Sequence, residues 1–221
     1  MFESKRITLF AGHYGSGKTN ITVNWAKYLK DQGKRVSVAD IDIVNPYFRA
    51  KDSEEDFKHW GIKLISSRYA NSNVDFPALP EDLYSIVDDK SYCSVIDVGG
   101  DDRGAYALGR YVNEILTENN YEFLLVINKY RPLTQNADST IEVMREIETA
   151  CRMKFTSIVN NSNLGRDTTC QTVLDSLPYA FEISQKTGLP IKMTTIEKSL
   201  YNQLNGKING LFCLTLQNKP V

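Results

Sequence analysis

The stretch Gly12-His13-Tyr14-Gly15-Ser16-Gly17-Lys18-Thr19 decides the fold of this 221-residue chain. It matches the pattern Gly-x-x-x-x-Gly-Lys-[Ser/Thr], a loop whose backbone N–H groups surround phosphate oxygens. Residues 6–11 (RITLFA) before it have the apolar, β-branched character of a buried strand. Residues 20–30 (NITVNWAKYLK) after it carry apolar side chains at helical spacing. Strand, loop and helix in this order predict a phosphate-binding site.

Two side chains of this loop have specific expected roles. We expect Lys18, as an exposed loop lysine, to reach the β- and γ-phosphates, and the Thr19 hydroxyl to ligate Mg²⁺. Residues 12–17 would contribute backbone N–H groups. The alternative is a glycine-rich turn in which Lys-Thr occurs by chance. The strand before the loop and the helix after it favour the binding site.

Composition indicates one α/β domain spanning residues 1–221. Hydrophobic residues make up 42% of the chain, which is enough for a continuous core. The formal net charge of −1 gives no basic field that would attract nucleic acid or anionic lipid. No apolar run approaches membrane-spanning length, so we expect a cytoplasmic protein without a membrane anchor. Four separated cysteines argue against zinc, iron–sulfur and disulfide frameworks: Cys93, Cys151, Cys170 and Cys213.

Strand-like and helix-like segments alternate along the chain. The predicted strands are residues 6–11, 35–40, 62–66, 92–97, 121–127, 154–160, 189–194 and 211–216. The predicted helices are residues 20–30, 51–60, 81–88, 105–116, 135–150, 169–186 and 197–204. This order predicts a three-layer α/β fold of the P-loop NTPase type, with a mostly parallel sheet of about seven to eight strands. The strand before the loop and the strand that ends at Asp97 should be neighbours.

Carboxylates follow two of these strands. Asp97 ends the apolar run at residues 94–97 (SVID), where a Mg²⁺-binding carboxylate is expected in a nucleotide hydrolase. Gly100 completes a D-x-x-G pattern, in which a glycine N–H can sense the γ-phosphate. Asp40 and Asp42 lie two residues apart on an extended chain and would point the same way. Turns and solvated strand ends are the alternatives for these residues.

Three segments together resemble the MinD/ParA-like P-loop ATPases: GHYGSGKT, VADIDIVNPYFR and VIDVGGDD. The resemblance covers about residues 6 to 195. It implies that Asp42 positions the hydrolytic water and that Asp97 contacts Mg²⁺ through water, with Asp40 as its partner at the metal. It also implies that Asn20, the residue after the loop threonine, lies at the α-phosphate.

The resemblance also suggests which base is bound. The family reads adenine with an Asn near the end of the sixth strand, where this chain offers Asn160 and Asn161. A side-chain amide suits adenine because it can donate and accept together, although an Asn pair can equally form a polar turn. Residues 128–131 (NKYR) lack the Asp of the guanine-reading N-K-x-D element, and their loop follows the fifth strand. ATP is therefore favoured over GTP.

The chain departs from the family pattern at one position. Relatives carry a signature lysine five residues before the loop lysine, and here that place is His13, followed by Tyr14. Either the lysine's task has been lost, or His13 performs it in a pH-dependent way. Loss is favoured because Tyr14 would crowd a partner's phosphates. Four arginines near the expected site could supply a replacement cation, although each could also be a solvated surface residue: Arg49, Arg103, Arg110 and Arg131.

These observations predict a Mg²⁺-dependent ATP-binding protein with slow ATPase activity that acts as a nucleotide-dependent switch. Its cofactors would be ATP/ADP and Mg²⁺, and its partners an unidentified client protein and, if it dimerises, a second copy of itself. One alternative is a kinase that transfers the γ-phosphate to a small molecule or a nucleic-acid end. A second alternative is a non-catalytic protein that binds a partner when nucleotide is bound.

Overall fold

The computed structural model describes residues 2–41, 50–66, 84–99 and 108–216. Its strands are β1 (Ile7–Ala11), β2 (Val36–Asp40), β3 (Lys63–Ser66), β4 (Cys93–Asp97), β5 (Tyr121–Ile127), β6 (Ser157–Asn160), β7 (Ile191–Glu197) and β8 (Leu211–Leu214). They form one eight-stranded sheet in the order β3-β2-β4-β1-β5-β6-β7-β8. Every neighbouring pair is parallel, which confirms the predicted sheet. The strand before the phosphate-binding loop and the strand ending at Asp97 are neighbours, as expected.

Helices connect these strands. They are α1 (Lys18–Asp31), α2 (Glu54–Trp60), α3 (Ser85–Asp88), α4 (Val112–Glu118), α5 (Ala137–Cys151), α6 (Cys170–Thr187) and α7 (Tyr201–Leu204). Short 3₁₀ turns precede α2, α5, α6 and α7 at Ala50–Ser53, Pro132–Thr134, Gly165–Asp167 and Lys198–Leu200. Among the helices in the described part of the chain, none has the length and apolar character needed to span a bilayer.

The hydrophobic core lies on both faces of the sheet. Successive residues of a strand point to opposite faces, so Leu9 and Phe10 of β1 belong to different clusters. Leu9 shares its cluster with Ile115 of α4 and Ile141 of α5. Phe10 shares the other with Trp25 of α1, against which it packs edge to face. Helices therefore cover both faces, which gives the predicted three layers.

The register brings the functional ends of the strands to one edge. Asp40 at the end of β2 lies opposite Asp97 at the end of β4, and Asp97 lies opposite Phe10 of β1. On the other side of β1, Ile127 of β5 lies opposite Asn160 of β6. Because all the strands are parallel, the loops that follow them emerge at this same edge, where ligands of such sheets bind.

Several elements differ from their predicted bounds, among them strands β6 and β7. The predicted strand at residues 154–160 begins only at Ser157, because the backbone N–H of Phe155 donates to the Glu148 carboxylate instead of joining the sheet. Strand β7, predicted at residues 189–194, runs from Ile191 to Glu197, and Glu197 lies opposite Leu214 of β8. The helix predicted at residues 197–204 therefore begins later, as the 3₁₀ turn Lys198–Leu200 followed by α7 from Tyr201.

Candidate functional site

The phosphate-binding loop connects β1 to α1 and contains a hydrogen-bonded turn. The Ser16 N–H donates to the His13 carbonyl at 3.0 Å, and Gly15 and Gly17 have φ angles of 76° and 90°. Helix α1 begins directly after Gly17, which has no side chain to cap the helix N-terminus, and its first turn contains no acidic residue. The uncapped N–H groups and the helix dipole favour an anion at this point.

Two glycines of the loop are required by close packing. A Cβ atom on Gly12 would lie 2.3 Å from the Val126 carbonyl oxygen of β5. A Cβ on Gly17 would lie 2.2 Å from the Asn161 amide nitrogen, and its positive φ already disfavours other residues. The loop is thus held against β5 and against the end of β6, so glycine at both positions follows from the fold as well as from ligand approach.

A hydroxyl and a carboxylate meet at the start of α1. The Thr19 hydroxyl donates to Oδ2 of Asp97 at 2.6 Å, and Asp97 is fully buried. Asp40 lies opposite Asp97 on the neighbouring strand β2 and is also buried. Lys18 is only 4% exposed, so the expectation of an exposed loop lysine is wrong. Lys18 is the first residue of α1, a helix whose apolar residues pack against the sheet.

The donor set fits a magnesium nucleotide. In the described ranges, no three His, Cys, Asp or Glu side chains cluster to form a metal site of their own. Mg²⁺ is usually held by one or two carboxylates together with substrate phosphates, and the pair of Thr19 and Asp97 has that character. The Ser16 hydroxyl is buried and has no hydrogen-bond partner among the described residues. A phosphate oxygen in the loop would satisfy such a group.

The two asparagines at the end of β6 are engaged within the protein. The Asn161 amide donates to the Ser16 carbonyl at 2.6 Å and accepts from the Thr195 hydroxyl at 2.5 Å. The Asn160 amide donates to the Ser176 hydroxyl at 3.0 Å, and both asparagines are buried. Adenine recognition by this pair stays a prediction. The contacts give Asn161 a role that the sequence did not indicate, which is to fix the loop to β6 and β7.

The loop after β5 reaches the phosphate-binding loop. Asn128 is buried, and its Oδ1 accepts from the N–H of Tyr130. The Tyr130 hydroxyl donates to the Thr172 carbonyl of α6 at 2.7 Å, and burial raises the pKa of this phenol with a smaller effect from nearby Asp175. Nε of Arg131 donates to the Gly15 carbonyl at 2.8 Å. The sequence named Arg131 only as one of four candidate cations, because its approach to Gly15 depends on the pairing of β5 with β1.

The remaining predicted residues take varied positions. Nδ1 of His13 lies 2.9 Å from the Tyr14 carbonyl oxygen, and Tyr14 is 55% exposed. Asn20 lies in the first turn of α1, where its carbonyl accepts from the Asn24 amide. Arg110 is exposed just before α4. Four predicted site residues lie outside the described residues: Asp42, Arg49, Gly100 and Arg103.

Sequence comparison identifies a family. Residues 7–167 match the model of the CobQ/CobB/MinD/ParA nucleotide binding domain, which confirms the family resemblance of the three sequence segments. A comparison with curated protein sequences returned no significant match.

Structural comparison finds similar folds in FtsY proteins. The chain matches FtsY from Thermotoga maritima with a TM-score of 0.58 and 20% identity, covering 89% of this chain and 63% of that one. FtsY from Mycoplasma mycoides gives 0.55 and 18%, covering 89% and 62%. The signal recognition particle receptor FtsY from Elizabethkingia anophelis, in complex with GDP, gives 0.56 and 15%, covering 99% and 62%. The chain thus spans less than two thirds of these proteins, and the likeness establishes a shared fold.

Proposed function

This chain belongs to the CobQ/CobB/MinD/ParA nucleotide-binding domain family, and we propose that it is a Mg²⁺-dependent ATP-binding protein that hydrolyses ATP slowly and acts as a switch. The hydrogen bond of 2.6 Å between the Thr19 hydroxyl and buried Asp97, beside Lys18, carries the proposal. It joins the end of the phosphate-binding loop to the neighbouring strand at the point where a nucleotide-bound cation is expected.

Each part of the site has a defined task in this proposal. The loop N–H groups and Lys18 bind the phosphates, and Thr19 and Asp97 hold Mg²⁺, with Asp40 beside them. The bound ion would neutralise charge on the β- and γ-phosphate oxygens. Asn161 holds the Ser16 carbonyl, which keeps the loop in a conformation that directs its N–H groups to the ligand.

Hydrolysis requires an oriented water molecule, and we assign that task to Asp42. The water oxygen bonds to the γ-phosphorus while the bond from this phosphorus to the β,γ-bridging oxygen breaks. The products are ADP and inorganic phosphate, and the proton of the water passes to solvent. The segments at residues 41–52 and 98–105 follow, along the chain, the strands that end at Asp40 and Asp97. Loss of the γ-phosphate would change the conformation of these two segments before that of other parts of the chain.

ATP is the proposed nucleotide. Residues 128–131 lack the carboxylate that reads guanine, and the Asn128 side chain is already engaged. Its Oδ1 accepts from the N–H groups of Tyr130 and Asn163. An FtsY protein that binds GDP shares the fold at 15% identity, which is too distant to assign a base here. We further propose one domain over residues 1–221, a cytoplasmic location and an unidentified client protein.

Phosphate release from ATP tests the proposal. Asp42→Asn should preserve ATP affinity and abolish hydrolysis, because an amide fills the same space but cannot orient water as a carboxylate does. Asp138→Asn, which removes an exposed carboxylate 80% accessible to solvent, is the matched control. Turnover of Asp42→Asn at the wild-type rate would move the water-positioning role to another residue. Transfer of the γ-phosphate to an added acceptor, with no phosphate release, would indicate a kinase instead.

A further inference from the structure

Arg131 is a cation that the fold places directly on the phosphate-binding loop. Its Nε donates to the Gly15 carbonyl at 2.8 Å. A Cβ built on Gly15 would lie 3.5 Å from this Nε and 3.8 Å from Cζ, so the guanidinium lies alongside the α-carbon of Gly15. Gly15 stands three residues before Lys18, within the segment whose N–H groups surround the phosphates.

The backbone that carries Arg131 is firmly held. Its N–H donates to the Asn128 carbonyl, and its own carbonyl accepts from the N–H of Thr134 at 3.0 Å. The two preceding side chains are tied to α6, because Lys129 donates to the Asp175 carbonyl and Tyr130 to a carbonyl one turn earlier. An arginine on such an anchored loop loses little further freedom when it binds a ligand.

The charge of Arg131 is not neutralised within the described part of the chain. No described carboxylate forms an ion pair with it, and its two Nη atoms make no hydrogen bond to a described residue. Buried Arg6, by contrast, is paired with Glu118. Arg131 is half-buried, and its Nη donors make no hydrogen bond to the described residues, so they are available to an anion. The anion that belongs beside this loop is phosphate.

We propose that Arg131 acts in cis on the nucleotide: its guanidinium contacts the terminal phosphate of a bound nucleoside triphosphate and stabilises the charge that develops there during hydrolysis. It would supply, from the same chain, the positive charge that position 13 lacks. The inference rests on the proposed function. It also gives the site a means of distinguishing triphosphate from diphosphate, because only the triphosphate carries the group that Arg131 contacts.

The test compares four variants with the wild type: Arg131→Ala, Arg131→Lys, Arg166→Ala and Asn161→Ala. Arg166 is exposed in the loop after β6 at the same sheet edge, so its removal controls for the loss of one positive charge. Asn161 holds the adjacent Ser16 carbonyl without carrying charge, so its removal controls for a loosened loop. Calorimetry measures binding of β,γ-imido-ATP and of ADP with Mg²⁺, and phosphate release measures turnover. Circular dichroism verifies folding.

Arg131→Ala should lower turnover at saturating ATP by about 100-fold or more. It should also weaken β,γ-imido-ATP binding at least about tenfold more than ADP binding, since one charge-assisted contact is lost only with the triphosphate. Asn161→Ala should weaken both ligands together. Arg131→Lys should recover part of the turnover, because it restores charge without the planar fork. Arg166→Ala should stay within about twofold of the wild type, since salt screens exposed charges.

The inference is overturned if Arg131→Ala matches Arg166→Ala in both turnover and the ratio of triphosphate to diphosphate affinity. If Arg131→Ala does not fold, Arg131→Lys decides, because a wild-type ratio and wild-type turnover in that variant would exclude a role for the guanidinium fork. Wild-type protein that binds no ATP would overturn the proposed function together with this inference. Wild-type protein that binds and hydrolyses ATP alongside an unaffected Arg131→Ala would overturn the inference alone.

Discussion

At the scale of single residues, the proposed chemistry depends on the hydrogen bond that the Thr19 hydroxyl donates to the Asp97 carboxylate at the sheet edge. The Asp97 carboxylate is buried, and its Oδ2 accepts from the Thr19 hydroxyl at 2.6 Å. Burial of a charged carboxylate is energetically unfavourable unless hydroxyls, cations or a metal ion stabilise its charge. The site is therefore poised for a cation that both residues can contact, directly or through water.

Asp97→Asn should weaken the Mg²⁺ dependence of nucleotide binding. The amide keeps the shape of the side chain but loses the negative charge, so we expect the affinity for Mg²⁺ in the presence of ATP to fall about 10- to 100-fold. ATP titrations at several Mg²⁺ concentrations measure this effect, with Asp138→Asn as control. A wild-type Mg²⁺ dependence in folded Asp97→Asn would remove Asp97 from the metal site.

At the scale of elements, helix α6 supports the loop that carries Arg131. The helix begins with a capping box. The Thr169 hydroxyl accepts from the N–H of Thr172, and the Thr172 hydroxyl accepts from the N–H of Thr169. The carbonyl of Thr172 also accepts from the Tyr130 hydroxyl. The first turn of α6 is thus connected to the loop after β5, and through it to the phosphate-binding loop.

Removal of the cap should destabilise this region. We expect Thr169→Ala to lower the free energy of unfolding by about 1 kcal/mol, because one helix N–H loses its partner. Urea denaturation measures the difference. Thr117→Ala, an exposed threonine within α4, serves as control and should change stability less. Equal effects of the two substitutions would show that the capping box contributes nothing beyond helix propensity.

The sequence predicted the elements better than the contacts between them. Strands such as residues 121–127 were recognisable because both faces of a parallel sheet are buried, which produces continuous apolar runs. The phosphate-binding loop was recognisable because its glycines have fixed spacing. Asn161 and Ser16 are hydrogen-bonded although they lie 145 positions apart in the sequence, and Arg131 and Gly15 are hydrogen-bonded across a separation of 116 positions. Such contacts follow from strand order and register, which a local pattern does not encode.

At the scale of the whole molecule, a buried ion pair stabilises the sheet edge that lies opposite the candidate site. Arg6, which precedes β1, pairs with Glu118 of α4 and donates to the Ile86 carbonyl of α3 at 2.9 Å. It also donates to the carbonyl of Tyr92, just before β4. One guanidinium therefore connects two helices and two strands far from the nucleotide loop.

This ion pair makes stability depend on pH. The hydrogen bond from Arg6 lowers the pKa of Glu118 below its ordinary value, against the opposing effect of burial. A depressed folded-state pKa contributes stability above the unfolded-state value of about 4.3, and this contribution is lost as pH falls through the lower folded-state value. Glu118→Gln should lower the free energy of unfolding by about 3 kcal/mol at neutral pH, because it leaves the buried Arg6 charge without a carboxylate partner. The variant should also lose less stability than the wild type when the pH is lowered.

Thermal unfolding between neutral and acidic pH checks this expectation. Glu114→Gln removes an exposed carboxylate from the same helix and controls for the change in net charge. If Glu118→Gln and Glu114→Gln have the same stability at neutral pH, the pair of Arg6 and Glu118 does not contribute as the structure indicates.

Nucleotide binding by the loop is tested most directly by calorimetric titration of ATP, with Mg²⁺, into the wild-type protein and Lys18→Ala. Lys27→Ala, further along α1, removes a more exposed lysine as control. Lys18→Met replaces Lys18→Ala if the loss of a buried side chain prevents folding. We predict that the wild type and Lys27→Ala bind ATP, and that the folded Lys18 variant binds about 10- to 100-fold more weakly, because a charge-assisted phosphate contact is lost. Unchanged ATP binding in a folded Lys18 variant, or no binding by the wild type, would contradict the assignment of this loop as a nucleotide site.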